Sequence, residues 1–410
     1  MSQSLKVPPH YAMAFMLLMI NAVHFLIATY FQIPGNSFAA KLTESETGLQ
    51  IIFYGISVAS ALLYSIIVRK MTLKYVLMSS LIADLIGLAF YWGSAAMGGN
   101  YPCVVIGTAF MGFAFLTVCI SVVTYLVLEF PKKLGASLMA IFAFGDLGNI
   151  AANLIFDAVD GTIYGPGCYF FLSLTLCFLI WFIAAKFTDP VFPKHLKKMR
   201  EGSVIWREFH YRLGFFLIAA IGYGIVESLF AVWGEVYLLQ FLTQSIVTST
   251  ISIYWFGMMI GKFLLLVPLY FFSTSKVFPL LILGAMGAIL YIEHQTEVSG
   301  FFIGFGAAGL FLAAVMPLII ASLENEIINS SIASHRRSYL PFVEIGTALI
   351  IGAHFLGVGI VVIFMESVRS INPTNFFNSA LIISAIVGLI IGFLNWTFSV
   401  KNSPKNNTLT

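Results

Sequence analysis

Twelve stretches of the chain run almost free of charge. They lie near 11–32, 48–68, 75–97, 102–128, 135–158, 168–187, 213–238, 247–271, 277–293, 299–322, 339–365 and 376–399. A helix rising 1.5 Å per residue needs about 20 apolar residues to cross about 30 Å of hydrocarbon. Lipid offers a backbone group no partner, and these runs are too long for tilted barrel strands, so each predicts a membrane-spanning helix. The first run is too long for a signal core and has no small-residue cleavage site before the second, so it reads as a retained span. Short polar connections separate the runs, except for the long basic stretch 188–212. The pattern predicts an all-α integral membrane protein of two six-helix bundles, 1–187 and 213–400. A linker at 188–212 joins them and a tail at 401–410 follows.

Composition agrees with lipid as the main solvent. Of 410 residues, 60% are hydrophobic and 10% charged, against about 45–50% and about 25% in a soluble domain. This excludes an ordinary cytosolic enzyme, a disordered chain and a nucleic-acid binder. Four Cys without a C-x-x-C pair make neither a disulfide framework nor a metal site, although Cys103 and Cys168 fall at matching helix ends where a bond is conceivable. The basic residues are placed unevenly. Lys6, Arg69, Lys70, Lys74, Lys132, Lys133, the cluster from Lys186 to Arg212, Lys276, Arg336, Arg337, Lys401 and Lys405 fall in alternate connections and at the two ends. The opposite connections hold Lys41 and Arg369. The positive-inside rule then predicts that both termini are cytoplasmic.

The two halves align with each other. Val23 to Tyr30 matches Val226 to Trp233 at an offset of 203, which sets His24 against Glu227 and Tyr30 against Trp233. Gly55, Thr72 and Lys74 match Gly257, Thr274 and Lys276, and this offset sets Ser60 against Lys262. Ile106-Gly107, Gly112, Leu126 and Glu129 match Ile303-Gly304, Gly309, Leu323 and Glu326. Phe144-Gly145-Asp146-Leu147-Gly148 matches Phe342-Val343-Glu344-Ile345-Gly346. Both halves begin on the same side, so the repeat is parallel, with its axis along the membrane normal.

Twelve helices, cytoplasmic ends, a basic central loop and a six-plus-six parallel repeat resemble the major facilitator superfamily over residues 11–399. The connection after the second helix, Arg69-Lys70-Met71-Thr72-Leu73-Lys74, keeps that family's basic residues and lacks its Gly and Asp. Gly145-Asp146-Leu147-Gly148 only echoes the glycine pattern of its antiporters. The resemblance implies a rocker-switch carrier whose first, fourth, seventh and tenth helices line a central cavity between the two pseudo-symmetric bundles.

Charges within spans carry the candidate chemistry, because each costs roughly 2.5–3.5 kcal/mol at a helix centre on insertion scales. Glu227, mid-helix on a cavity-lining element, is the leading proton-coupling candidate, since desolvation favours the neutral form of a carboxyl. A structural pairing with Lys262 is the alternative. Asp146 is a second coupling candidate and, with Glu344, Arg336 and Arg337, a candidate gate between the halves. Lys262, His24 and His354 are candidate substrate ligands that favour an anionic group. Asn21 is placed to hydrogen-bond substrate, and Tyr30 and Trp233 to stack on it. Asp84 reads as bracing, and Glu129 and Glu326 as cytoplasmic brackets.

Gly304-Phe305-Gly306-Ala307-Ala308-Gly309 fits G-x-G-x-x-G but lies inside a span with no preceding strand, so it reads as tight helix packing and not as a nucleotide site. No P-loop or hydrolase motif occurs, and no cofactor, metal or enzymatic activity is expected. The expected function is secondary active transport in a bacterial inner membrane, by proton symport of a small polar metabolite through a monomer. A proton-driven exporter of amphipathic compounds is the alternative, suited by a Phe- and Met-rich pocket.

Overall fold

The computed structural model describes residues 9–32, 46–130, 134–159, 164–184, 203–271, 274–323, 340–368 and 373–401. These residues are helical apart from the short connections between them. In order they form α1 (Pro9–Gln32), α2 (Glu46–Lys70), α3 (Leu73–Ala96), α4 (Tyr101–Glu129), α5 (Leu134–Val159), α6 (Tyr164–Ala184), α7 (Ser203–Ser228), α8 (Gln244–Phe271), α9 (Thr274–Glu293), α10 (Val298–Leu312), α11 (Leu340–Val368) and α12 (Pro373–Lys401). A π-helical segment, Leu229–Trp233, and one further turn, Gly234–Leu238, prolong α7. Helical structure resumes after α10 over residues 315–323. Among the described residues, eight helices are long and apolar enough to cross a membrane, and four more apolar stretches are shorter. The α7 helix begins at Ser203, within the stretch expected as a linker, whose first part lies outside the described residues.

Local chemistry accounts for the helix ends. Pro9 and Pro373 open α1 and α12, where a missing N–H costs nothing. Asn100 caps α4 by accepting from the Cys103 N–H at 3.3 Å. Gly98 and Gly99, with φ of 74° and 100°, make the tight turn from α3 to α4 that only glycine adopts without strain. Within the helices, hydroxyls donate back to the preceding turn, as Ser80 does to Val76 and Thr108 to Val104, both at 2.8 Å. Each thereby loses its need for water.

Apolar side chains fill the interior and also cover much of the outside, while several ionisable groups are buried. Leu280, Leu283 and Leu389 are exposed, while Asn21, His24, Asp84, Asp146, Lys262 and His354 are buried. That is the expected distribution where lipid faces the outside and ionisable groups face the bundle interior.

Helix contacts repeat between the halves. The contact of α1 with α5 recurs as α7 with α11, α2 with α4 as α8 with α10, α3 with α4 as α9 with α10, and α3 with α6 as α9 with α12. Between the halves, α2 packs on α11 and α5 packs on α8, and these two contacts are themselves equivalent under the repeat. The glycine-rich run of α10 serves packing. A side chain at Gly309 would strike the carbonyl oxygen of Tyr254 on α8, and one at Gly304 would strike Ile292 on α9. The backbones approach because those positions lack a Cβ.

Candidate functional site

Four ionisable side chains gather where the halves meet. Asp146 on α5 and Lys262 on α8 form a direct ion pair across the half-to-half contact. Both are nearly sealed, with side-chain exposures of 6% and 3%. On the second half, Glu227 on α7 faces His354 on α11, with Oε1 3.6 Å from Nε2. Glu227 is the exception in burial, keeping 17% of its side chain exposed. The pairs form one electrostatic unit, because Glu227 interacts with both Lys262 and Asp146. The sequence alternatives for Lys262 were substrate anion or Glu227, and its contact partner is Asp146.

Tyrosines frame this unit. Tyr54 on α2, Tyr223 on α7 and Tyr254 on α8 all lie within electrostatic reach of Glu227. The Tyr223 ring stacks on His354 with centroids 5.4 Å apart, and its hydroxyl donates to the Leu312 carbonyl at 3.3 Å. Tyr223 and Glu227 are four residues apart on one helical face. Close helix contact completes the arrangement: a side chain at Gly224 would meet the backbone of His354. The π segment starts two residues after Glu227, and its neighbour Ser228 donates to the Val358 carbonyl of α11 at 3.5 Å. Such segments frequently mark functional positions in helices.

The first half carries a related pair. His24 Nδ1 on α1 lies 3.2 Å from Asp84 Oδ2 on α3, both fully enclosed at 3% and 2% side-chain exposure. Asp84, read from the sequence as bracing, is thus partnered. Asn21 donates its amide to the Ile141 carbonyl of α5 at 3.1 Å. Thr29 on α1 donates to Asn149 Oδ1 on α5 at 2.7 Å.

The aromatic candidates lie elsewhere. Tyr30 is buried edge-on against Phe31 and Phe171, an α1–α6 packing cluster, and Trp233 is buried in the π segment. Glu344 lies on α11 with its side chain outside the described residues, and Arg336 and Arg337 lie outside them altogether. Cys103 and Cys168 are free thiols. Sequence reasoning missed Tyr54, Tyr223, Tyr254 and the π segment. The four-residue spacing of Tyr223 and Glu227 was the one available signal. Nothing distinguished Tyr54 and Tyr254 among 17 Tyr residues.

No protein-family model matches the chain, and a comparison with curated proteins finds no match. Solved structures do match over nearly the whole length. The chain is similar to a major facilitator superfamily transporter, FucP, in the outward conformation, with a TM-score of 0.76 and 15% identity over 94% of this chain and 99% of that one. It is also similar to a variant of the E. coli fucose:proton symporter FucP, with a TM-score of 0.75 and 14% identity over the same shares. This whole-length likeness shows that the chain has the fold of the major facilitator superfamily.

Proposed function

We propose that the protein is a secondary active transporter that moves a small polar metabolite with protons by alternating access between its two halves. The observation that carries this reading is the charge count of the buried unit. Asp146 and Glu227 contribute two negative charges and Lys262 one positive, so the unit is neutral only when one more proton resides on the Glu227–His354 pair. Enclosing a net charge in a medium of low dielectric costs several kcal/mol. A proton therefore permits the site to close, and its release favours opening. Glu227, with residual exposure and a long contact to His354, is the natural acceptor. The whole-length likeness to a fucose:proton symporter supports both carrier function and proton coupling.

In this reading Asp146 and Lys262 form the latch between the halves, because their pair spans α5 and α8 and must part if those helices separate. Glu344, Arg336 and Arg337 remain proposed gating partners at the end of α11. His24, Asn21 and His354 remain proposed substrate ligands. The preference for an anionic substrate rested on an available cation at Lys262, and its pairing with Asp146 removes that support. A neutral substrate fits the compensated charges better. The placement is a bacterial inner membrane, with a monomer as the working unit.

The decisive experiment is Glu227→Gln in reconstituted vesicles. Accumulation driven by an imposed pH gradient is expected to fall by more than about tenfold, a loss of ~1.4 kcal/mol or more. Exchange of substrate across the membrane is expected to persist and to lose its pH dependence. Full gradient-driven accumulation in this variant would overturn the reading. In everted vesicles an importer is expected to discharge preloaded substrate from the lumen, and uptake of substrate from the medium into the lumen would favour the exporter of amphipathic compounds instead.

A further inference from the structure

The tenth helix breaks beside the charged unit, and its own sequence explains the break. α10 ends at Leu312 and helical structure resumes at residue 315. Pro317 follows two residues later. A proline has no N–H for the carbonyl four residues before it, here Ala313, and its ring crowds that carbonyl, so a helix kinks or parts just ahead of it. The part of α10 before the break is held fast. A side chain at Gly257 or Gly261 of α8 would strike the carbonyl oxygens of Gly306 and Leu310, and one at Gly309 would strike that of Tyr254. The backbones of α8 and α10 thus meet closely up to the break. With the first part anchored, a change at the break moves residues 315–323 relative to it.

One side chain links this break to Glu227. The Tyr223 hydroxyl donates at 3.3 Å to the Leu312 carbonyl, the last of the segment before the break. The same hydroxyl is within hydrogen-bond reach of the Glu227 carboxylate, one turn along α7. The ring itself is held in place. It stacks on His354 with centroids 5.4 Å apart and 24° between planes, and a side chain at Gly224 would meet the His354 backbone, so α7 and α11 are locked together at this level. A phenol carries a single proton, and here two acceptors compete for it. A hydrogen bond to an ionised carboxylate is roughly twice as strong as one between neutral groups. A protonated carboxyl has no such advantage over a backbone carbonyl. The other titratable groups around Glu227 are His354 on α11, Lys262 and Tyr254 on α8, Asp146 on α5 and Tyr54 on α2. Tyr223 adds to this set a hydrogen bond to α10.

We propose that Tyr223 is a positioning residue that conveys the charge of Glu227 to the break in α10. With Glu227 protonated, the hydroxyl stays on Leu312 and ties α7 to the end of the anchored segment. With Glu227 ionised, the hydroxyl turns to the carboxylate, the Leu312 carbonyl loses this donor, and the break loosens. Rotation about the Cζ–O bond is enough to redirect the proton, so the ring keeps its stack on His354 in both states. Residues 315–323 are then free to swing in one charge state and held in the other. This inference rests on the transporter reading and adds to it the residue through which a proton at Glu227 acts on α10.

The test is hydrogen–deuterium exchange of the purified full chain in detergent, read by mass spectrometry at peptides covering residues 313–323, without substrate or gradient. All samples are compared at one alkaline pH, so the intrinsic exchange chemistry is the same, and Glu227→Gln stands for the protonated carboxyl. The parent is expected to exchange the amides at the break about fivefold faster than Glu227→Gln, the effect of one net hydrogen bond. Tyr223→Phe keeps the ring on His354 and lacks the hydroxyl. In it, exchange is expected to be fast both with and without Glu227→Gln, whereas a ring that only packs would leave the difference between the two intact. If Tyr223→Phe does not fold, Pro317→Ala restores the missing N–H and is expected to give slow exchange both with and without Glu227→Gln. Equal exchange in the parent and Glu227→Gln overturns the proposal. So does a difference that survives Tyr223→Phe or Pro317→Ala, or one that spreads equally over the peptides of the first half. Exchange is read without transport, so failure here leaves the gradient-driven result for Glu227→Gln to stand or fall by itself.

Discussion

Each half of the molecule encloses a histidine facing a carboxylate, yet the two pairs differ in access. The side chains of His24 and Asp84 in the first half are 3% and 2% exposed, while in the second half Glu227 keeps 17% of its side chain exposed beside His354. His24 on α1 meets its carboxylate on α3, whereas Glu227 on α7 meets its histidine on α11. Duplication preserved the helix contacts, which the backbone imposes, and left the side chains free to diverge. A pair that water cannot reach serves to hold helices together. A pair that water can reach is able to exchange a proton.

The largest expected effect breaks the asymmetry at the interface between the halves. The repeat alignment sets Ser60 against Lys262, and among the described residues the α5–α8 contact alone of the two carries a buried ion pair. Lys262→Met leaves the Asp146 carboxylate enclosed and unpaired, and losing one partner of a buried pair costs about 3–5 kcal/mol. A large drop in Tm in detergent is expected, with most of it restored in the Lys262→Met/Asp146→Asn double variant, since the lone charge is then gone. A single variant as stable as the parent would mean that the pair bears no weight in this state.

A smaller effect separates the two His–carboxylate pairs. Asp84→Asn replaces a charged acceptor with a neutral one and disturbs a fully enclosed hydrogen bond, for an expected cost of about 1–3 kcal/mol. Accumulation is nevertheless expected to remain driven by the pH gradient, in contrast to Glu227→Gln. Vesicle uptake with and without an imposed gradient checks both variants side by side. Loss of proton drive in Asp84→Asn would mean that the sealed pair also titrates during the cycle, and the contrast between the pairs would vanish.

The helical layout was legible because lipid imposes a single demand, long apolar runs with internally paired backbones, and it writes that demand into composition. The repeat was legible for the same reason: helix-to-helix contacts preserve glycines such as Gly112 and Gly309, and these survive divergence. The site was legible only by residue type. A charge in a span is conspicuous, so Glu227, Asp146, Lys262, His24 and His354 stood out. Their pairings were not legible, because partners lie on helices distant in sequence: Lys262 reaches across 116 residues to Asp146. The tyrosines around Glu227 were hidden for the opposite reason: Tyr54, Tyr223 and Tyr254 are three of 17 Tyr residues, and only position distinguishes them. Tyr30 and Trp233, selected because they matched in the repeat, are both buried.

The duplicated packing itself is testable by matched substitutions. Gly148 on α5 lies against the Ala22 backbone of α1, and Gly357 on α11 lies against the Ile221 backbone of α7. Each is at the same helix contact in its half, and a methyl group at either has only backbone to strike. Gly148→Ala and Gly357→Ala are expected to destabilise by similar amounts, about 1–3 kcal/mol as for other overpacked interiors. Thermal unfolding of the two variants in parallel is the check. A cost in one half alone would show that the halves share topology without sharing packing constraints.

The smallest effect concerns Ser60, which occupies on α2 the place that Lys262 holds on α8. Its hydroxyl donates at 2.7 Å to the Ser57 carbonyl one turn earlier, within its own helix. That carbonyl already lies in a helical ladder, so the hydroxyl satisfies itself without bracing a neighbour. Ser60→Ala therefore removes one short-range bond and exposes no buried charge, for an expected cost of about 0.5 kcal/mol, the low end for a net hydrogen bond. Tm is expected to stay within about 2 °C of the parent, since a difference this small moves the midpoint little in a chain of this size. A loss at Ser60 matching that of Lys262→Met would show that the α2–α11 contact depends on a polar partner too, and that the latch is doubled across the repeat.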